Sequence, residues 1–414
     1  MGAFEAQEPG AGDGRGVEGA GWGRVLGSLL FLAGIFFMNF LSRVMLSPLI
    51  PTMEQDLGLS HGQAGSLFLL VSLGYFVSMV GSGYVSSFIL HRRVIVLSTV
   101  AVGAALLAVS LARDLMGVRV GLLLLGLASG MYLPSGVASL TAMVPSRHWG
   151  KAIAVHELAP NLGFLAAPLL AEALLPAFSW RQVLGLLAVA SLLTGAAFAL
   201  LGKGGRFRGE RPSPASYRIL MAEPTFWIML LLFGLAIGGS MGVFTMLPLY
   251  LVTAHGLSQS RADALVAVSR APAWAAALAA GWLADRLGYK RTIGIVLFLS
   301  GLLTIFIGLL SGAPLAAAVI LQPLAAVCFF PAGFAALSRI GSEGGRQVVV
   351  SLAVPAAFVI GGGLLPTGIG LLGDAGRFGW GMALVGGLQL GGVLLAFRLG
   401  LGAGEEGGRP PARK

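Results

Sequence analysis

Polar and charged positions in this chain are gathered into short clusters, and the stretches between them are apolar for about 20 residues or more. Those stretches are apolar all round, and a helix of that length crosses the roughly 30 Å of hydrocarbon in a bilayer. Twelve such spans are predicted, over residues 25–50, 62–87, 93–112, 118–144, 149–175, 179–202, 225–253, 261–286, 292–311, 313–338, 347–372 and 378–400. A membrane barrel would instead alternate apolar and polar residues in segments of about 10. The pattern therefore predicts an all-α polytopic membrane protein with twelve transmembrane helices.

The chain also repeats itself. "GLSHGQAGSL" at 58–67 matches "GLSQSRADAL" at 256–265, an offset of 198, and Gly83 and Gly281 share that offset. "FSW" at 178–180 and "FGW" at 378–380 differ by 200. Three landmarks in one order predict two six-helix halves, 23–202 and 225–401, joined by a basic linker, 203–224, and flanked by tails at 1–22 and 402–414. An even number of spans per half makes the repeats parallel. Transporters built this way hold their site near mid-membrane between the halves, which rock around it.

Composition agrees with the bilayer. With 56% hydrophobic and 11% charged residues, and a mean hydropathy of +0.88, the chain has too little polar surface to cover a soluble globule. Its net charge of +10 could suggest nucleic acid, but position argues otherwise. With a cytoplasmic N-terminus, twenty of the 27 Lys and Arg fall in cytoplasmic segments, five outside and two within spans. That asymmetry places both termini in the cytoplasm of a cell with an inner, or plasma, membrane. The cluster Lys203, Arg206, Arg208, Arg211 and Arg218 reads as a contact with the inner leaflet. The expected partners are lipid, protons and a small solute, with no nucleic acid and a monomeric chain. Cys328 is the one cysteine, a packing residue, and the tail 1–22 reads as disordered. No nucleotide-cradling G-x-x-x-x-G-K-[ST] loop and no HExxH zinc motif occur, so neither an enzyme nor a cofactor or metal is expected.

Gly281, Asp285, Arg286, Gly288, Lys290 and Arg291 fit G-x-x-x-D-R-x-G-x-[RK]-[RK], the loop signature of the major facilitator superfamily, where that family carries it. "SRVMLSPLIPTMEQDLGLS", 42–60, resembles the family's first helix and external turn. The chain thus resembles a secondary transporter of that superfamily. The resemblance implies that Asp285 latches the cytoplasmic gate by docking on the start of the fifth span, near Pro145, Ser146 and Arg147, when the protein faces outward. In the matching stretch of the first half only Gly83, Arg92 and Arg93 persist; Ser87, Phe88 and Leu90 replace the acid, the next basic residue and the glycine.

Four ionisable residues lie at membrane depth, where they are functional candidates. Arg43, about 27 Å along the first span, follows Asn39 by one turn, and Arg270 lies at comparable depth in the other half. Together with Asn39 they form a predicted anion site, since each guanidinium offers a planar fork to carboxylate or phosphate. Pairing with helix carbonyls, or snorkelling, is the structural alternative. Glu157, roughly 12 Å from the cytoplasmic end of the fifth span, and adjacent His156 are candidates for proton coupling. An ion pair of Glu157 with Lys151 or the eighth-helix loop is the alternative.

These features predict a transporter of a small organic or inorganic anion working by proton-coupled alternating access. Two rivals are a drug or lipid efflux antiporter with an apolar cavity, and a non-transporting sensor on the same scaffold. Pro160 and Gly163 resemble the G-P-x-x-G element of drug exporters, but Ser146, Val155 and Ala159 stand where that pattern has glycines. "GGGLLPTG", 361–368, predicts a bend in the eleventh helix, and Trp22, Trp149, Trp180, Trp227 and Trp380 are expected to anchor span ends.

Overall fold

A computed structural model describes residues 22–211, 221–340 and 346–399, with the side chains of 22–24, 274, 277–279, 281, 282, 285 and 346–350 outside that description. Residues 1–21 of the first tail, the whole of the second and Arg218 also lie outside the described residues. Among the described residues the regular elements are all helical. Eleven of the predicted spans are helices long and apolar enough to cross a membrane: Val25–Leu57, His61–Phe88, His91–Leu111, Leu115–Met143, Ser146–Leu174, Trp180–Leu201, Pro224–His255, Tyr289–Leu309, Gly312–Leu337, Ser351–Asp374 and Phe378–Phe397. The eighth is two helices, Gln259–Arg270 and Ala273–Leu287, broken at Pro272, which has no N–H to continue the ladder.

Helix ends follow local chemistry. Ser60 and Ser179 each open a span with a full capping box, their side chains accepting from Gln63 and Gln182, and Asp114 caps the fourth span. Packing repeats between the two sets of six: the third span lies against the sixth as the ninth lies against the twelfth. The described ends, near residues 22 and 399, and the described linker residues 203–211 share one face, which also holds most of the described Lys and Arg, and it is termed the basic face.

Two spans of the second set carry π-helical turns, Gly238–Gly242 in the seventh and Ile360–Leu364 in the eleventh, the latter overlapping the glycine-rich stretch 361–368. They abut at their backbones: a Cβ on Gly361 would collide with Gly234 and Gly238, so glycine permits the contact. A π turn frees carbonyls from the helix ladder, and buried side chains take them up. Gln389 donates to Leu235 O (3.2 Å), Gln322 to Gly239 O (2.9 Å) and Arg270 to Ser240 O (2.7 Å).

The hydrogen bonds and ring contacts that cross the seam between the two sets, among the described residues, run from mid-span to the face opposite the basic one. Nearest the basic face is Tyr75 against Phe358 (5.4 Å between centroids). Beyond it come Ser47 Oγ to Phe244 O (2.8 Å), Gln259 Nε2 to Pro48 O (2.9 Å), Ser260 Oγ to Glu172 (2.6 Å), and Asp374 on the start of the second span. Toward the basic face Lys151, Ala154 and Glu157 of the fifth span are exposed. Among the described residues, the contacts named above close the seam on the side away from the basic face.

Trp149, Trp227 and Trp380 are exposed near span ends, as expected of anchors, but Trp180 is buried. Its indole N–H donates to Asp56 (3.1 Å), whose carboxylate also pairs with Arg181, so the residue ties the sixth span to the first. The Cys328 thiol donates to Leu324 O (3.0 Å), in keeping with a packing role.

Candidate transport site

Arg43 is carried to mid-seam by the first span, where it is 3% exposed. One face of its guanidinium lies over the Tyr75 ring (4.4 Å) and another contact is with Phe40 (5.2 Å). Its Nε has no hydrogen-bond partner, and no carboxylate of the described residues is within ion-pair distance. The residue lines a narrow pocket with Phe68, Tyr75 and Ser72 from the second span and Met241 and Phe358 from the other set. Buried charges are ordinarily paired, because an isolated one loses hydration worth several kcal/mol. Arg43 therefore presents unused donor edges to a pocket with aromatic walls.

Asn39, one turn away, turns its amide elsewhere: Nδ2 donates to Ser129 O (3.1 Å) in the fourth span. Arg270 stands in the sealed part of the seam. Its guanidinium is held between Phe164 of the fifth span (4.5 Å) and Phe244 of the seventh (4.7 Å), with Nη2 on Ser240 O and Nε without a partner. Phe40 packs edge-on against Phe164 (4.9 Å), so a line of aromatic rings runs between the two arginines in this state. Arg43 borders the pocket; Arg270 faces its aromatic seal.

The predicted proton residues are adjacent and differ in surroundings. His156 is buried, stacked on Phe36 (4.4 Å between centroids) and within 3.0 Å of the Tyr132 hydroxyl at Nε2. Tyr132 has one hydroxyl proton, and it goes to Leu32 O (2.6 Å), which can only accept. His156 Nε2 must then be the N–H. That leaves Nδ1, which has no hydrogen-bond partner, 3.5 Å from Glu157 Oε1. A lone pair facing a carboxylate repels it, whereas a proton on either group turns the pair attractive. Glu157 is half-exposed. Asn161 donates to Glu157 O (3.2 Å). Lys151 makes no ion pair with Glu157 among the described residues.

Of the loop motif, Gly281 lies within the helix Ala273–Leu287, and Asp285 lies near its end with its side chain outside the described part. Arg286 and Arg291 are exposed. Gly288 turns the chain with φ 80° and ψ 151°, a conformation open to glycine, whereas Leu90 at the matching place has φ −62°. Lys290 donates to Leu399 O (3.3 Å) beyond the twelfth span, and Arg92, 198 residues earlier, donates to Ala199 O (2.9 Å) at the end of the sixth. Gly83 O accepts from Ser86 Oγ (3.1 Å) near the end of the second span.

The sequence reading missed Tyr75 and Tyr132, which orient Arg43 and His156, and Phe164 and Phe244, which hold Arg270. It also missed Asp263 and Asp374. An acid within an apolar span was a legible signal for Asp263; the aromatic rings carried none, being common in any span.

Two sets of six membrane helices, a seam closed on one face, and an unpaired cation at its centre define a polytopic membrane transporter. The profile of the Major Facilitator Superfamily matches residues 32–271, more than half of the chain, and the protein belongs to that family. It is similar to the gallate transporter of Pseudomonas putida, 26% identical over 391 residues that cover 85% of this chain and 81% of that one. It is also similar to the 4-hydroxybenzoate transporter PcaK of Pseudomonas putida, 23% identical over 66% of this chain and 69% of that protein. Among solved structures, a bacterial homolog of the human lysosomal transporter Spinster, in an inward-facing and occupied conformation, superposes with a TM-score of 0.77 at 16% identity, covering 90% and 96% of the two chains. Family and relatives are transporters, and the protein is not an enzyme.

Proposed function

We propose that this protein carries a small organic anion, of the aromatic carboxylate kind, across the plasma membrane with proton coupling. The observation that carries the reading is Arg43: a buried guanidinium with unused donors, beside a pocket walled by Phe68, Tyr75 and Phe358. A planar carboxylate matches the fork, and the aromatic walls would stack an arene once the pocket, with free volume of about 10 Å³ in this state, widens around it. A mainly apolar exporter cavity gives no account of an unpaired cation there. The names of the gallate and 4-hydroxybenzoate relatives support the same class.

In this reading the basic face is cytoplasmic, and the seam faces inward. Glu157 and His156 hold the coupling proton between them. Arg270, released from Phe164 when the seam opens on the other face, becomes the second anion ligand. Asp285 latches the cytoplasmic gate in the outward-facing state. The linker 203–224 joins two halves that move as bodies, and within its described part the Gly205 and Phe207 carbonyls accept from Arg92 and His91 at the start of the third span.

The test is binding by purified protein. 4-Hydroxybenzoate should raise the melting temperature while neutral 4-hydroxybenzyl alcohol does not, and Arg43→Gln should weaken the effect about 30-fold or more in concentration. Arg43→Lys should not restore it, because a point charge lacks the fork. Equal stabilisation by acid and alcohol, or an undiminished response in Arg43→Gln, would remove the anion site.

A further inference from the structure

Asp263, in the first helix of the eighth span, takes no part in the mechanism above, and its surroundings are unusual for a carboxylate. It is 0% exposed. Oδ2 accepts one hydrogen bond, from Gln259 Nε2 (2.8 Å), and Oδ1 has no partner. The same Gln259 nitrogen donates to Pro48 O (2.9 Å), in the first span and across the seam. The carboxyl is therefore enclosed by the closure of the opposite face.

No cation offsets it among the described residues. From the fifth span the group facing this helix is another acid, Glu172, whose Oε1 accepts from Ser260 (2.6 Å). The seventh span offers Tyr250 and His255, whose rings pack on each other at 4.8 Å. The helix Gly312–Val327 of the tenth span carries no titratable side chain. On its own helix Arg261 is exposed, and Arg270 is held by Phe164 and Phe244. The continuation Ala273–Leu287 has Asp285 and Arg286 only at its far end, and Glu54 of the first span is paired with His61. None of these forms an ion pair with Asp263.

An ionised carboxylate so placed would lose its hydration for a single hydrogen bond. A protonated one leaves at most an unsatisfied hydroxyl, which is the smaller penalty. We propose that Asp263 is a second proton-binding site, loaded from the face opposite the basic one, and that the seam closes on that face only over the protonated form. When the seam opens, Pro48 leaves Gln259, water reaches the carboxyl, and the O–H bond breaks with the proton passing to water. This rests on the transport reading but needs no substrate, so it is tested without one.

Spin labels at Arg113→Cys and Arg377→Cys, on a Cys328→Ala background, place one probe per helix set on exposed loops of that face. Distances by double electron–electron resonance should be short in mildly acidic buffer and lengthen in mildly alkaline buffer. In Asp263→Asn, a permanent mimic of the neutral form, the short distance should persist throughout. Asp263→Glu should keep the shift with a displaced midpoint, and it serves as the test if the asparagine variant does not fold. A distance that ignores pH, an unaltered shift in Asp263→Asn, or an unmoved midpoint in Asp263→Glu overturns the proposal. Failure of 4-hydroxybenzoate to bind would instead sink the anion reading and leave these outcomes as they are.

Discussion

Asp374 accepts the backbone N–H of His61 at 2.7 Å across 313 residues of chain. Its other oxygen takes the Gly62 N–H (3.0 Å) and the Ser60 hydroxyl (2.8 Å). An acid at the end of the eleventh span thus caps the start of the second, in the other helix set, and completes the seal of the opposite face. His61, held there, pairs through Nδ1 with Glu54 (2.7 Å).

Capping energies set the expected size of this latch. Asp374→Ala should weaken closure by about 0.5–2 kcal/mol, roughly a 2- to 30-fold shift in population toward opening on that face. The Arg113 and Arg377 label pair reads it as a gain in the long-distance fraction. An unchanged distribution would mean that the cap forms without holding the gate.

Tyr132 tests the proton assignment, because its hydroxyl fixes which nitrogen of His156 carries hydrogen. In Tyr132→Phe the ring stack on Phe36 remains and the acceptor for Nε2–H is lost. Proton-driven uptake of 4-hydroxybenzoate into liposomes should fall and its pH profile should move, while exchange of that anion without a proton gradient continues. An unmoved profile would make Tyr132 a packing residue and detach His156 from coupling.

Gly288 and Leu90 form a matched pair of turns with opposite tolerances. Gly288→Ala forces a side chain into φ 80°, ψ 151°, a strain of roughly 1–3 kcal/mol. Leu90→Gly at φ −62° should cost about 1 kcal/mol or less, apart from lost packing. Thermal unfolding in detergent should show the larger drop for Gly288→Ala. Equal losses would indicate that turn geometry does not explain the retained glycine.

The two copies of the loop motif show how far a sequence carries. Their shared basic residues, Arg92 and Lys290, each hold the carbonyl end of the last helix in their own set, a role that favours a cation there in both. That common task was not legible, because Ala199 and Leu399 differ from any other span-end residue only by where the chain brings them. Likewise Arg43, Arg270, Glu157 and His156 stood out as charges within apolar runs, but their division of labour did not. Arg43 and Arg270 were expected as one site and are separated here by Phe40 and Phe164.

Hydropathy is a local property summed over about 20 neighbouring residues, so the chain alone determined the order and approximate limits of eleven membrane helices, though not the break in the eighth, and a repeat of 198 residues revealed its two sets. Which side chains meet across the seam depends on the rotation and tilt of helices far apart in sequence, and small shifts in either exchange one partner for another. Tertiary structure alone therefore decided that Arg43 stays unpaired, that Asp374 caps the second span, and that Asp263 is shut away from water.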